Sequence, residues 1–281
     1  MPPSAVNDSA PLIHSPLVAS FPVMDNALLS GKNVFITGAG RNIGRSIALE
    51  MAQQGANVFF TDIDDERRAR LEEEVDGMGF RGKGFLSDIR KREDIDSLVE
   101  FFAENAIGID ILVNNVGVET GAIGFSTIEP EQWQETFATN VFGPMYLTKR
   151  ISQRMIDKSV PGSIIFITSI HQFTIRRLPD YSASKAALGM IVKELALDLA
   201  PCGIRVNGIA PGWVKEDEKG NTYGARYAPL HGSSINPCYI GRAAVFLASE
   251  HFSRFTTGAV LTIDGGLSLY NYLVDDSCHD K

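Results

Sequence analysis

Seven short strand-like runs recur along the chain, at residues 33–37, 57–61, 84–86, 110–113, 163–168, 205–209 and 259–263, and most of them are nearly unbroken Val, Ile, Leu and Phe. A strand with one wet face alternates apolar and polar residues, whereas a strand apolar at every position is covered on both faces. Between the runs lie longer segments with helical spacing of their apolar residues, at 43–54, 64–78, 95–105, 131–157, 181–199 and 242–248. Strand and helix taking turns in this way predict an α/β fold: a doubly wound parallel sheet of about seven strands with helices on both faces. The 131–157 helix is expected to bend near Gly143-Pro144, because proline removes a donor from the helix and crowds the preceding turn. No break in composition divides the chain. The expected organisation is a mobile, proline-dotted extension over residues 1–30, one domain over 31–270 and a tail over 271–281.

Charge and cysteine content narrow the partners. Lys and Arg number 26 against 34 Asp and Glu, for a net charge of −8. An acidic chain without a basic cluster is a poor ligand for nucleic acid or an anionic membrane. The charged run at 62–76 mixes both signs and reads as a solvated helix face. Cys202, Cys238 and Cys278 are too widely spaced for a metal-ligand set or a disulfide framework, which points to a reducing compartment and no metal. Nothing reaches the ~18 apolar residues of a membrane span, and the N-terminus lacks the basic and apolar regions of a signal peptide. A cytoplasmic protein acting on a small molecule is expected.

The turn after the first strand, Thr37-Gly38-Ala39-Gly40-Arg41-Asn42-Ile43-Gly44, opens a helix. Glycines there let the backbone approach a pyrophosphate, and a helix N-terminus offers free N–H groups and a positive dipole end. Glycine also serves turns that merely need φ > 0. A second sign is Asp62 at the end of the second strand, about 20 residues on, where a ribose-diol acceptor belongs. Asp62 would repel a 2′-phosphate, which favours NAD; Arg41 could meet that phosphate, which leaves NADP possible.

Tyr181 and Lys185 stand four residues apart at the start of a predicted helix, and so project from one face. A phenol is a weak acid, with a reference pKa of about 10. A nearby ammonium favours the phenolate, and the pair can exchange a proton with an alcohol. Alone, such a pair also fits a solvated tyrosine beside a surface lysine.

Together with Asp88-Ile89, Asn114-Asn115-Val116-Gly117, Asn140, Ser169, Pro211-Gly212 and Asp264-Gly265-Gly266, these residues resemble the short-chain dehydrogenases/reductases in their single-domain Rossmann-type form. The resemblance runs from about residue 32 to 269. It implies that Tyr181 exchanges the proton, that Lys185 lowers its pKa and bonds the nicotinamide ribose, and that Ser169 holds the substrate oxygen. Asn140 would position a water for a relay from Lys185. Gly38, Arg41, Asn42, Ile43 and Gly44 would hold the pyrophosphate, and Asp88 and Ile89 the adenine. Asn115, Val116 and Gly117 would line the cofactor, with Pro211, Gly212 and Val214 flanking the nicotinamide. The implied assembly is a homo-oligomer, dimer or tetramer, formed through the 131–157 and 181–199 helices.

Three departures from the family pattern stand out. Asn42 replaces the middle glycine of the turn, and asparagine tolerates unusual backbone angles. Ser169 precedes Tyr181 by twelve residues, one fewer than the family spacing, so the loop between them must be tight. Glu216 stands where the family places a threonine after Pro211-Gly212, making the lid before Pro237 unusual. Glu119 and His171 should open on the cleft, with Asn221 and Tyr223 in the lid. They favour a polar hydroxylated substrate, such as a sugar, cyclitol or natural-product intermediate, hydrogen-bonded by His171. The resulting reading is an NAD(P)-dependent oxidoreductase interconverting a secondary alcohol and a ketone. The alternatives are an NAD-using epimerase or dehydratase without net redox, and a non-catalytic dinucleotide-binding protein.

Overall fold

In the computed structural model, which describes residues 27–121, 124–215, 229–230 and 234–269, the apolar runs become one parallel sheet. Its strands are β1 (Asn33–Ile36), β2 (Asn57–Asp62), β3 (Gly82–Leu86), β4 (Ile111–Asn114), β5 (Gly162–Ile167), β6 (Ile204–Pro211) and β7 (Val260–Ile263), in the order β3-β2-β1-β4-β5-β6-β7. Consecutive residues of β1 explain why its run is unbroken. Val34 and Ile36 enter the core against α1 (Asn42–Gln53) and α7 (Pro237–Ala248), while Phe35 enters the opposite core. That second core is covered by α3 (Arg92–Glu104), α5 (Gly143–Asp157) and α6 (Pro179–Leu199). Each fully buried Val, Ile or Phe contributes about 1.5–3 kcal/mol from its apolar surface. The helix α2 (Asp65–Gly77) buries only Leu71 and Val75, as its charged sequence requires.

The order of connection reverses between β1 and β4, and the chain ends there diverge to leave a crevice at the carboxyl edge. The helix expected over 131–157 is three pieces: α4 (Pro130–Phe137), a π-helical turn (Ala138–Phe142) and α5. Pro144 cannot donate to the carbonyl of Asn140 four residues back, and the chain widens there instead of simply bending. Asn140 sits in the widened turn, fully buried.

Leu29, placed by sequence in the N-terminal extension, is 2 % exposed in the first core, and its N–H bonds the Gln54 carbonyl. Residues 1–26 and 271–281, and the lid residues Glu216, Asn221 and Tyr223, lie outside the described residues. Among the described residues no helix is long and apolar enough to cross a membrane.

Candidate active site

Thr37, at the end of β1, is buried, and its hydroxyl oxygen accepts the N–H groups of Asn115 and Val116 at 3.0 and 3.2 Å. The Asn115 carboxamide in turn donates to the carbonyls of Thr37 and Gly38, both at 2.9 Å. The glycine turn is therefore held from the neighbouring strand. Gly44 makes this possible: a Cβ there would lie 2.3 Å from the Gly38 oxygen and 2.5 Å from Asn115 Nδ2. Asn42 adopts φ +48°, the left-handed conformation that asparagine tolerates better than most residues. The Asp62 carboxylate accepts the Gly40 N–H at 2.8 Å and the Asp64 N–H at 3.0 Å, so it fixes the turn from the β2 side as well.

From this turn a cleft of about 790 Å³ runs along the carboxyl edge to Tyr181 and Lys185. Gly38, Arg41, Asn42, Ile43, Gly44, Asp62, Asp88, Ile89, Asn115, Val116, Gly117, Pro211, Gly212 and Val214 all line it. A backbone cradle that side chains would fill, at a helix N-terminus and with a carboxylate beside it, fits a dinucleotide. Asp88 is already ion-paired: the Arg90 guanidinium meets its carboxylate at 2.7 Å and holds its pKa below the ordinary value. Sequence reasoning missed Arg67 and Trp213, which also line the cleft. Trp213 is adjacent to the Pro211-Gly212 turn and 49 % exposed, a large aromatic left open; that adjacency was the available signal.

The catalytic end is built by α6. Asp180, Ser184, Leu188, Val192 and Ala196 form a buried stripe of four-residue spacing, and Pro179 starts the helix where its missing N–H costs nothing. Tyr181 and Lys185 stand beside that stripe. Ser169, buried two residues beyond β5, stands near the Tyr181 hydroxyl and opposes the rise in its pKa, and its own oxygen accepts the His171 N–H at 3.2 Å. Ser169 and Tyr181 thus meet although twelve residues separate them, because the loop starts in a tight turn over Ile170–Gln172.

One expectation is corrected here. Lys185 does not lower the Tyr181 pKa in this geometry; burial pushes it up to about 12, against the opposing pull of Ser169, and the Glu119 charge adds to the rise. The reason is where the ammonium goes. Lys185 Nζ donates to the Ile167 carbonyl at 3.0 Å and lies over the Tyr181 ring, 5.5 Å from its centroid, rather than on the hydroxyl. Burial brings the lysine itself down to about 8.

Asn140 holds the loop after β4: its Oδ1 accepts the Val118 N–H at 2.8 Å, and Nδ2 donates to the Val118 carbonyl at 2.9 Å and to Ser184 Oγ at 3.0 Å. Both its amide protons are committed to protein partners. Gly117 keeps the space between Asn140 and Lys185 open: a Cβ there would come 3.0 Å from Lys185 Nζ and 3.7 Å from Asn140 Oδ1.

His171 packs edge-on against the Tyr181 ring at 5.1 Å, its Nδ1 is 3.3 Å from Ser182 Oγ, and it faces the cleft. Desolvation, with Arg176 and Lys185 nearby, lowers its pKa from 6.5 to about 4. Below 6.5 the unfolded chain takes up a proton that the folded one refuses, so stability falls as pH drops from about 6.5 to about 4. The melting temperature should follow that slope, and His171→Gln should flatten it; an unchanged slope in the variant would contradict the assignment.

A family model described as enoyl-(acyl carrier protein) reductase matches residues 38–268. The chain is 33 % identical over 252 residues to 3β-hydroxysteroid dehydrogenase 1 of Eggerthella lenta, covering 86 % of this chain and 95 % of that one. A gluconate 5-dehydrogenase from Burkholderia cenocepacia, solved in complex with NADP and tartrate, matches with a TM-score of 0.79 at 28 % identity, over 88 % of this chain and 99 % of that one. A 7α-hydroxysteroid dehydrogenase complexed with NADH and 7-oxo glycochenodeoxycholic acid matches with a TM-score of 0.77 at 31 % identity, over 86 % and 96 % of the two chains.

Proposed function

The chain belongs to the short-chain dehydrogenase/reductase family and is an NAD(P)-dependent oxidoreductase of alcohols and ketones, and we propose that Tyr181 is its acid/base and a polar hydroxylated molecule its substrate. The observation that carries this reading is the Ser169–Tyr181 hydroxyl pair at one end of a cleft whose other end is the glycine turn. In reduction, the Tyr181 hydroxyl gives its proton to the carbonyl oxygen while Ser169 holds that oxygen. In oxidation, the Tyr181 oxygen takes the alcohol proton. The bound nicotinamide supplies or accepts the hydride, and the protein supplies placement and the proton. Tyr181 and Lys185 would hold the ribose next to the nicotinamide, Gly38 to Gly44 the pyrophosphate, Asp62 the adenine-side ribose, and Asp88 and Ile89 the adenine. A water between Asn140 and Lys185 would return the proton to Tyr181.

Glu119, His171 and Trp213 line the cleft with Tyr181 and support a substrate that carries further hydroxyls. Dinucleotide absorbance screening across sugars, cyclitols, steroids and small ketones should give the highest kcat/KM on a polyol; a steroid preference would contradict it. His171→Ala should raise KM for that polyol about tenfold, the loss of one hydrogen bond in a buried setting. An unchanged KM removes the contact.

Asp62 supports NAD over NADP. A carboxylate facing a 2′-phosphate costs enough to favour NADH by about tenfold or more, and Asp62→Asn should narrow that gap. Equal kcat/KM for NADH and NADPH in the native enzyme would contradict it. Met190, Leu197 and Phe142 are 56, 75 and 64 % exposed on or beside α5 and α6, which supports a homo-oligomer through these helices, dimer or tetramer. A monomer by light scattering would overturn that part.

A further inference from the structure

The chemistry above leaves a buried carboxylate next to Tyr181 unused. Asp180 is 1 % exposed in the first turn of α6, where the helix dipole favours a negative charge. Its Oδ2 accepts the hydroxyl of Thr136, in α4, at 2.7 Å and that of Thr120, in the loop after β4, at 3.1 Å. One carboxylate therefore joins three elements that meet around the cleft. Glu119 lies between two ties: Val118 is held at both its N–H and its carbonyl by Asn140, and Thr120 is held by Asp180. Glu119 is exposed, lines the cleft and is close enough to act electrostatically on the Tyr181 hydroxyl.

We propose that Asp180 is a positioning residue: through Thr120 and Thr136 it fixes the Glu119 loop at the mouth of the cleft, so that Glu119 accepts a second hydroxyl of the substrate beside the reacting one. This rests on the reading of the chain as an oxidoreductase of hydroxylated substrates, and it narrows the substrate to a diol or polyol. Glu119 supplies an acceptor for the neighbouring hydroxyl, and the clamp removes the entropy of a loose loop from the act of binding.

The test uses the full chain with two readouts. Hydrogen–deuterium exchange of the peptide over residues 118–127 needs no substrate. Steady-state kinetics with NAD compare cis-1,2-cyclohexanediol with cyclohexanol. The native enzyme should prefer the diol in kcat/KM. Thr120→Val, which leaves the buried carboxylate on Thr136, should speed exchange in that peptide and cut the diol preference about tenfold, mostly through KM, as for one charge-assisted hydrogen bond. Glu119→Gln should cut it similarly, and the double variant should lose no more than either single one. Asp180→Asn should stay near native, because a carboxamide can still bond both hydroxyls, whereas Asp180→Ala should behave like Thr120→Val. The proposal fails if Thr120→Val leaves exchange and diol preference unchanged, or if Asp180→Asn behaves like Asp180→Ala. It also fails if cyclohexanol is oxidised as well as the diol, an outcome that leaves the oxidoreductase reading intact. Turnover of neither probe would sink the diol assignment, with exchange still deciding the clamp.

Discussion

Tyr181→Phe lowers kcat by about 10²–10⁴-fold, the range for losing a positioned proton donor, while dinucleotide affinity is retained. The substitution removes one oxygen from a half-buried ring and keeps the ring's edge contact with His171. Ser169 remains to polarise the substrate oxygen, so the residual rate reports what placement alone achieves. The pH dependence has a defined sign. With the Tyr181 pKa pushed up to about 12, the phenol is protonated at neutrality and ready to give its proton to a carbonyl. Alcohol oxidation needs the opposite form, so its rate should rise with pH through the neutral range while reduction stays level. An oxidation rate that falls over that range would show that another group takes the proton.

Gly44→Ala destabilises the protein by about 1–3 kcal/mol and raises the dinucleotide Kd about tenfold or more. The added Cβ would lie 2.3 Å from a backbone carbonyl and 2.5 Å from a carboxamide nitrogen, neither of which is the loose end of a flexible side chain. Relief comes only by moving the Gly38 carbonyl or expelling Asn115, and expulsion breaks the bonds that Asn115 makes to Thr37 and Gly38. Gly77→Ala is the control, since a Cβ at the end of α2 meets nothing within 4 Å. Calorimetry and dinucleotide fluorescence titration check both. A Gly44→Ala protein that melts and binds like the native one would mean the turn is looser than its contacts indicate.

The sheet was readable because burial on both faces forces unbroken apolar runs, as β1 shows by sending Phe35 to one core and Ile36 to the other. At β3, on the edge of the sheet, only Phe85 and Leu86 carried the signal, and the strand begins at Gly82, two residues before the expected Gly84. The π-helical turn around Asn140 was not readable, since apolar periodicity hardly changes across it; Pro144 pointed to a break but not to its form. The meeting of the glycine turn with Asp62 was legible because turn, helix start and acidic strand end are local features with fixed spacing. The sign of the Tyr181 shift was not. Four-residue spacing places Lys185 near the ring, but the Ile167 carbonyl that takes its ammonium comes from another strand. Asp180 carried no local signal either, since its partners come from α4 and from the loop after β4.

The most direct measurement follows dinucleotide absorbance and product together. On a polyol-derived ketone, the native enzyme should consume one NADH for each alcohol formed. Tyr181→Phe should bind NADH but form almost no alcohol. Product formed without net loss of NADH, or full turnover by Tyr181→Phe, would contradict the assignment of Tyr181 as the acid/base of a redox enzyme.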